Sequence, residues 1–463
     1  MSSNINDSDG RRVRTAVIVA AGLGTRLGPD ELPKPLRPLA GVPVIARVMD
    51  SAARAGIRRF IVVIGFEAEL MRRTLPALVP TGCELHMVRN SRYTEPNGVS
   101  LYSGISGLYE PFALLMSDHI FSPDRLESVI RAFSSDQVSR LVVERKEVFD
   151  GDLEDATRLQ TKDGFISAIG KDLRTFEAID TGIFVLDPKA VKEAVDLAGP
   201  SPSISDIMRL LGRDKALKAH YGQSGYWQDV DTPSDIMLAE KKLYASLKKP
   251  ADGFLARHIN RRVSLFISTR IWRLGATPNM VTTFTLVLGL LAGLAFSQGS
   301  TPGWGLLGAL LFQLHSIIDG VDGELARLLL RESPLGFWYD ISADNLTHMA
   351  VFAGIAMGQK AGLVPGPWNA LAVLAVLGVL TSVIAVSPIL RPSTAAGKKK
   401  RVEDGILVKV VETLTSRDFT YLLFPLAIMG WLGGFLWIAT IGTWIYSILV
   451  ILLRLRAGKK AVA

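Results

Sequence analysis

Past residue 277 the chain turns to long apolar runs. Within the second of them stands Asp319-Gly-Val-Asp322-Gly323-Glu-Leu-Ala326-Arg327, followed eight residues later by Gly336-Phe-Trp-Tyr-Asp340-Ile-Ser-Ala-Asp344. Four carboxylates in sequence apolar enough to span a bilayer are costly to bury, and ionisable groups in that setting mark functional sites. At about 100° per residue, Asp319, Asp322, Gly323, Ala326 and Arg327 share one helical face, and Gly336, Asp340 and Asp344 share a face of the next helix. Two such faces meeting across a helix pair would make an oxygen-rich nest for hard divalent cations, Mg²⁺ or Mn²⁺. The small residues beside it would admit a bulky ligand.

The apolar runs divide into about six expected spans: 279–297, 303–329, 338–358, 368–389, 418–432 and 434–455. The fifth is short for a bilayer, so the last two read as a tight hairpin around Gly430–Gly434. Basic residues fall unevenly in the loops. Arg391, Lys398, Lys399, Lys400 and Arg401 crowd one loop, and Arg454, Arg456, Lys459 and Lys460 crowd the C-terminus. The positive-inside rule then places the N-terminal half, both termini and the aspartate motif on the cytosolic side of the inner membrane. Between the halves, residues 254–274 mix apolar and basic side chains at helical spacing, which predicts an amphipathic helix on the membrane surface.

A chain of 463 residues is long enough for two domains. Its mean hydropathy of +0.28 is high because of the second half; residues before 250 alternate charged and apolar stretches as globular proteins do. The expected organisation is a disordered tail over 1–13, a cytosolic domain over 14–248, a linker and juxtamembrane helix over 249–276, and a transmembrane domain over 277–463. A single cysteine, Cys83, excludes an internal disulfide and fits a reducing compartment. Residues 2–12 are polar and carry no apolar segment, so they do not read as a signal peptide. The net charge of +8 clusters beside the apolar runs, which points to anionic lipid or phosphorylated substrates and away from nucleic acid.

In the first half, Arg14–Ala21 reads as a buried strand, with further strands at Phe60–Ile64, Glu84–Val88, Phe112–Met116, Arg140–Val143, Asp180–Leu186 and Ala216–His220. Helix-like segments separate most of them, so the fold class is an α/β, Rossmann-like domain with a mainly parallel sheet, joined to an all-α membrane domain. The first strand runs into Ala20-Ala21-Gly22-Leu-Gly24-Thr25-Arg26-Leu-Gly28, followed by Pro33-Lys34-Pro35. Glycines let backbone N–H groups wrap a phosphate chain, and Arg26 adds a cationic fork.

The aspartate string resembles, at every fixed position, the motif D-x-x-D-G-x-x-A-R-x8-G-x-x-x-D-x-x-x-D of the CDP-alcohol phosphotransferases. That resemblance implies that Asp319, Asp322, Asp340 and Asp344 hold one or two divalent ions on the pyrophosphate of a CDP-alcohol. It further implies that Gly323 and Arg327 flank the nucleotide, that Asp344 acts as general base on an acceptor hydroxyl, and that CMP leaves.

The glycine-rich turn with its Thr-Arg and Pro-Lys-Pro is similar to that of the sugar-phosphate nucleotidyltransferases over roughly 14–247. Ser117-Asp118-His119 and Trp227-Gln228-Asp229-Val-Asp231 resemble that family's acidic elements. The resemblance implies Mg²⁺ on Asp118, Asp229 and Asp231, with Lys34 bridging the α-phosphate and the incoming phosphate. Arg26 and the turn at Ala20, Ala21, Gly22, Gly24 and Thr25 would hold the remaining phosphates. Asn97-Gly-Val-Ser100 looks like the base-reading stretch of the cytidylyltransferase branch.

A nucleotidyltransferase fused to a transferase that consumes CDP-alcohols suggests that the first site makes the second site's donor, which selects CTP. The pairing resembles the bifunctional inositol-1-phosphate cytidylyltransferase and di-myo-inositol phosphate phosphate synthase family over nearly the whole chain. The junction segments Phe254–Ser264 and Thr277–Thr282 resemble it too. Its implied substrates are CTP, inositol 1-phosphate and CDP-inositol, and it implies a homodimer through the membrane domain. Another phospho-alcohol, with a lipid or polyol acceptor, is the alternative reading of the same two-step chemistry.

Overall fold

The computed structural model describes residues 13–24, 32–222, 225–247, 259–299, 301–387 and 417–462. Two compact units divide the chain, Met1–Ser246 and Leu247–Ala463.

The main sheet of the first unit has nine strands: β1 (Thr15–Ala20), β2 (Arg59–Ile64), β3 (Glu84–Arg89), β4 (Phe112–Met116), β5 (Ser139–Arg145), β6 (Arg158–Lys162), β7 (Phe165–Gly170), β8 (Ala178–Leu186) and β9 (Leu217–Tyr221). Their order is 3-2-1-4-8-5-9-7-6. Strands β3, β2, β1 and β4 are parallel, as the near-continuous apolar sequence of β1 requires of a strand covered on both faces. Ala16, Val17 and Ile18 have no exposed surface. The remaining half of the sheet is mixed, which qualifies the mainly parallel expectation. Strand β8 runs antiparallel to both β4 and β5, because the β6–β7 hairpin stands where a crossover helix would have restored the parallel direction.

Helices α1 (Val44–Arg54), α2 (Ala68–Thr74), α3 (Asn97–Ile105), α4 (Pro123–Asp136), α5 (Pro188–Ala198), α6 (Ile204–Arg213) and α7 (Pro233–Ser246) belong to this unit. In register, Val19 of β1 lies opposite Met116 of β4. The glycine-rich turn and Ser117-Asp118 therefore leave the sheet side by side, where ligands of such sheets bind. A small antiparallel ribbon, Trp227–Asp229 with His119–Phe121, brings Asp229 opposite His119.

The second unit is helical: α8 (Arg261–Ile271), α9 (Pro278–Ser297), α10 (Pro302–Leu328), α11 (Pro334–Ala361), α12 (Trp368–Val386), α13 (Leu423–Ile428) and α14 (Leu432–Val462). Among the described residues, α9, α10, α12 and Leu432–Leu452 of α14 are long and apolar enough to cross a membrane. The expected third span lies inside α11, a helix of 28 residues that carries Asp340 and Asp344. The expected fifth span, 418–432, is broken: a 3-10 segment, Arg417–Leu422, leads into the six-residue α13, and Gly430 turns with φ +71° before α14.

Helices α9 and α11 approach through small residues, as helices in lipid commonly do. A Cβ on Gly354 would stand 2.1 Å from the Gly293 carbonyl oxygen, so no larger residue fits at this spacing. Around this contact Ala292, Phe296, Phe312, Val351 and Ile355 form an apolar core.

Helix α8 covers the C-terminal part of the segment predicted to lie on a membrane surface. Its buried residues are Ser264 and Ser268, while Val263 and Phe266 are exposed. Ser264 and Ser268 thus face the protein, Ile267 and Ile271 pack partly buried against Val321 and Leu325 of α10, and Val263 and Phe266 face outward.

Candidate functional sites

In the first unit, the turn after β1, the Pro33-Lys34-Pro35 segment and the end of β4 enclose a cavity of about 320 Å³. Ala20, Gly22, Gly24, Lys34, Asn97, Ser100, Asp118 and Asp231 line it. Gly24 has φ +62°, and a Cβ there would come 2.6 Å from Lys34 Cβ, so both the turn and the path of Lys34 require glycine. The Lys34 ammonium donates to both Asp118 and Asp231. Burial alone would lower the Lys34 pKa, but the two carboxylates outweigh it and raise it. Burial alone would raise Asp118, and Lys34 with His119 instead holds it below the ordinary value. Asp229 is raised by burial; nearby His119 opposes the rise, and Asp235, Asp231 and Asp118 add to it. Asp235 Oδ2 accepts from the backbone N–H of Asp231 (3.2 Å) and Thr232 (2.8 Å), which fixes the loop that presents Asp231.

Asn97 and Ser100 are also braced by the fold. Asn97 Oδ1 accepts from Ile204 N at the start of α6 (2.9 Å), and buried Ser100 accepts from Asn90 Nδ2 (2.9 Å). Ala21 is buried behind the turn. Thr25 and Arg26 lie outside the described residues, as do Arg391, Lys398–Arg401 and the start of the 254–264 segment.

In the second unit, α10 and α11 bring the four predicted aspartates together. Carboxylate oxygens of Asp319, Asp322 and Asp340 lie within 4.8 Å of one another, and so do single ligand atoms of His315, Asp319 and Asp344. Asp319 and Asp322 are buried at 5% and 6% exposure, too low for hydrated surface carboxylates. Clustered anionic oxygens at this density suit a divalent cation, since without a counter-charge they repel. Gly323 donates its N–H to Asp322. A Cβ on it would stand 3.3 Å from Arg327 Nη1, so glycine leaves space beside that guanidinium.

Three residues of this site escaped the sequence reading. Thr282 of α9 donates to Asp322 Oδ2 (2.6 Å) and orients it. His315 lies one turn before Asp319 on the same face, and extending the aspartate face backward by four residues finds it. Glu324, two residues past Asp322, points the other way and meets Arg261 (2.6 Å), Ser264 (2.8 Å) and Ser268 (2.5 Å) of α8.

Comparison with known proteins agrees with this division. Residues 16–226 match the MobA-like NTP transferase domain, and residues 275–452 match the CDP-alcohol phosphatidyltransferase family. The fold and the two sites thus define a nucleotidyltransferase fused to a membrane-type CDP-alcohol phosphotransferase. The bifunctional IPC transferase and DIPP synthase of Thermococcus kodakarensis is 35% identical over 365 residues, 78% of this chain and 79% of that one. Its Aquifex aeolicus counterpart is 32% identical over 77% of this chain and 80% of that one. Among solved structures, the inositol-1-phosphate CTP transferase from T. maritima is similar at 25% identity and a TM-score of 0.44, covering 50% of this chain and 95% of that chain. The chain belongs to the bifunctional IPC transferase and DIPP synthase family.

Proposed function

We propose that the first unit joins CTP to inositol 1-phosphate, giving CDP-inositol and pyrophosphate. The second unit then transfers the phospho-inositol group to a hydroxyl of a second inositol 1-phosphate, releasing CMP. The family membership supports both steps. The observation that carries the second is the meeting of Asp319, Asp322, Asp340 and Asp344 across α10 and α11.

In the first reaction a substrate phosphate oxygen attacks the α-phosphorus in line, so the protein's work is positioning and charge neutralisation. Lys34, which pairs with Asp118 and Asp231, bridges the two reacting phosphates. Arg26 and the amides of the turn at Gly22 and Gly24 hold the leaving pyrophosphate, and Asn97 and Ser100 face the base. Asp118, Asp229 and Asp231 supply anionic oxygens for Mg²⁺. In the second reaction Gly323 and Arg327 flank the cytidine nucleotide, and Asp344 takes the proton of the acceptor hydroxyl. Asp319, Asp322, Asp340 and Asp344 would hold a divalent ion, which would neutralise charge at the pyrophosphate.

The unit over 14–248 is the cytosolic cytidylyltransferase and that over 277–463 the transmembrane transferase. The positive-inside pattern supports an inner-membrane protein with both sites facing the cytosol. Outward Val263 and Phe266 on α8 support contact with lipid headgroups and acyl chains. A homodimer through the membrane helices rests on the family resemblance.

The test supplies purified protein with CTP, Mg²⁺ and a panel of phospho-alcohols. Asp344→Ala should lose coupling while still releasing pyrophosphate with inositol 1-phosphate. Asp118→Ala should do the reverse, with coupling restored by added CDP-inositol. Pyrophosphate release only with a different phospho-alcohol would replace the inositol assignment.

A further inference from the structure

His315 lies on α10 one turn before Asp319, is 4% exposed, and has no part in the roles given above. Its Nδ1 is 3.0 Å from the Thr285 carbonyl oxygen of α9. A carbonyl can only accept, so Nδ1 carries the proton. Nε2 is on the side of Asp344, 3.6 Å from its Oδ1, and one ring nitrogen lies within 4.8 Å of carboxylate oxygens of Asp319 and Asp344. The Phe312 ring lies parallel to the imidazole, with centroids 5.7 Å apart and planes 5° apart, and this stacking fixes the ring's plane. An imidazole that gives one N–H to a backbone carbonyl and turns its other nitrogen to carboxylates has the outer-shell arrangement of a metal-bound histidine.

We propose that His315 Nε2 is a metal ligand, sharing one cation position with Asp319 and Asp344. Asp319, Asp322 and Asp340 form a second position of oxygen donors alone, and Asp319 is common to both. The two positions therefore differ in chemistry. The nitrogen-bearing one favours a first-row transition ion such as Mn²⁺ over Mg²⁺, which binds oxygen donors and gives up water reluctantly. The assignment rests on the metal-dependent reading of the second unit.

Pulsed EPR of Mn²⁺ bound to the full-length protein in detergent tests it. The protein carries His119→Gln, so that the neighbourhood of Asp118 contributes no imidazole. The expected spectrum shows nitrogen-14 coupling, which becomes nitrogen-15 coupling when histidine is isotopically labelled. That labelling needs no change at His315 and so stands even if a variant there fails to fold. Adding His315→Gln should remove the coupling while Mn²⁺ stays on the oxygen position. The Mg²⁺ needed to displace Mn²⁺ should fall by about tenfold. Mn²⁺ bound without nitrogen coupling, or coupling that survives His315→Gln, overturns the assignment alone. No Mn²⁺ bound at all overturns it together with the metal-dependent reading.

Discussion

Arg261 Nη1 lies 2.6 Å from Glu324 Oε1, and Glu324 has no exposed surface. Arg261, Ser264 and Ser268 stand at i, i+3 and i+7 on α8, so one helical stripe delivers a cation and two hydroxyls to one carboxylate. Because Glu324 sits between Asp322 and Arg327 on α10, this clamp ties α8 to the helix that carries half of the aspartate cluster. Removing one partner of a buried pair leaves an uncompensated charge, at a cost of about 3–5 kcal/mol. Arg261→Ala should accordingly lower the thermal unfolding midpoint in detergent by many degrees and reduce coupling. Arg270→Ala, which loses an exposed guanidinium stacked on Phe266 and its surface hydrogen bond to the Phe266 carbonyl (3.1 Å), should change little.

Much of this could be read in the chain because the decisive patterns are short and local. The aspartate faces follow from helical periodicity alone, and α10 and α11 bring them together. Strand β4 was legible to the residue, since a short run of buried apolar residues bounded by a proline and a Ser-Asp turn has few alternatives. The β6–β7 hairpin was missed, although Asp163-Gly164 joins its strands with φ +55° and +79° in the manner of a tight two-residue turn. Its strands, Arg158–Lys162 and Phe165–Gly170, are half polar and carry a weaker apolar signal than the runs on either side. Thr282 was hidden for another reason: its role depends on which helix packs against which, and no spacing within one helix reports that. His315 shares the aspartate face of α10, one turn before Asp319, and that spacing was there to be read. Which residues of α8 turn inward was hidden in the same way as Thr282: periodicity shows two faces, but a buried carboxylate on α10 decides that Ser264 and Ser268 meet it.

Thr282 Oγ1 is the group on α9 that fixes the orientation of Asp322. Outer-shell partners of this kind are worth about 10–100-fold in metal affinity or activity. Thr282→Val keeps the shape and removes the donor. Its coupling rate with supplied CDP-inositol should fall by roughly that factor, partly recovered by raised Mg²⁺, while pyrophosphate release from CTP stays at the wild-type rate. Equal loss of both reactions would show that Thr282 serves general stability instead.

Asp180, near the start of β8, is pushed up to about 6 by burial, against a hydrogen bond from Gly182 N (2.7 Å) and the nearby His119. A carboxyl whose folded-state pKa is raised holds its proton longer in the folded state, so its contribution to stability falls as pH rises from about 4 to about 6. Asp180→Asn keeps an oxygen for Gly182 and abolishes the titration. The variant should match wild type below pH 4 and exceed it above pH 6, by no more than about 3 kcal/mol. Chemical denaturation of the first unit, followed within the full-length protein across that range, reads the difference. A constant offset at every pH would place the effect elsewhere than in the ionisation of this group.

Helix α11 carries Asp340 and Asp344, and its distance from α9 is set by glycine on both sides: Gly354 against Gly293, and Gly358 against the Phe296 carbonyl oxygen, where a Cβ would come within 2.1 Å. Backbone cannot yield as a flexible side chain can, so a single methyl group must push the helices apart or tilt α11. Either movement displaces Asp340 and Asp344 relative to Asp319 and Asp322 on α10, and misplacement by about 1 Å far from the chemistry can cost on the order of a hundredfold. Gly354→Ala should therefore depress coupling far more than it depresses pyrophosphate release from CTP, and should lower the midpoint of thermal unfolding in detergent. Gly434→Ala in α14 is the matched control, because a Cβ there meets nothing within 4 Å and alanine favours helix. Equal activity in the two variants would mean that the α9–α11 contact does not hold the aspartates in place.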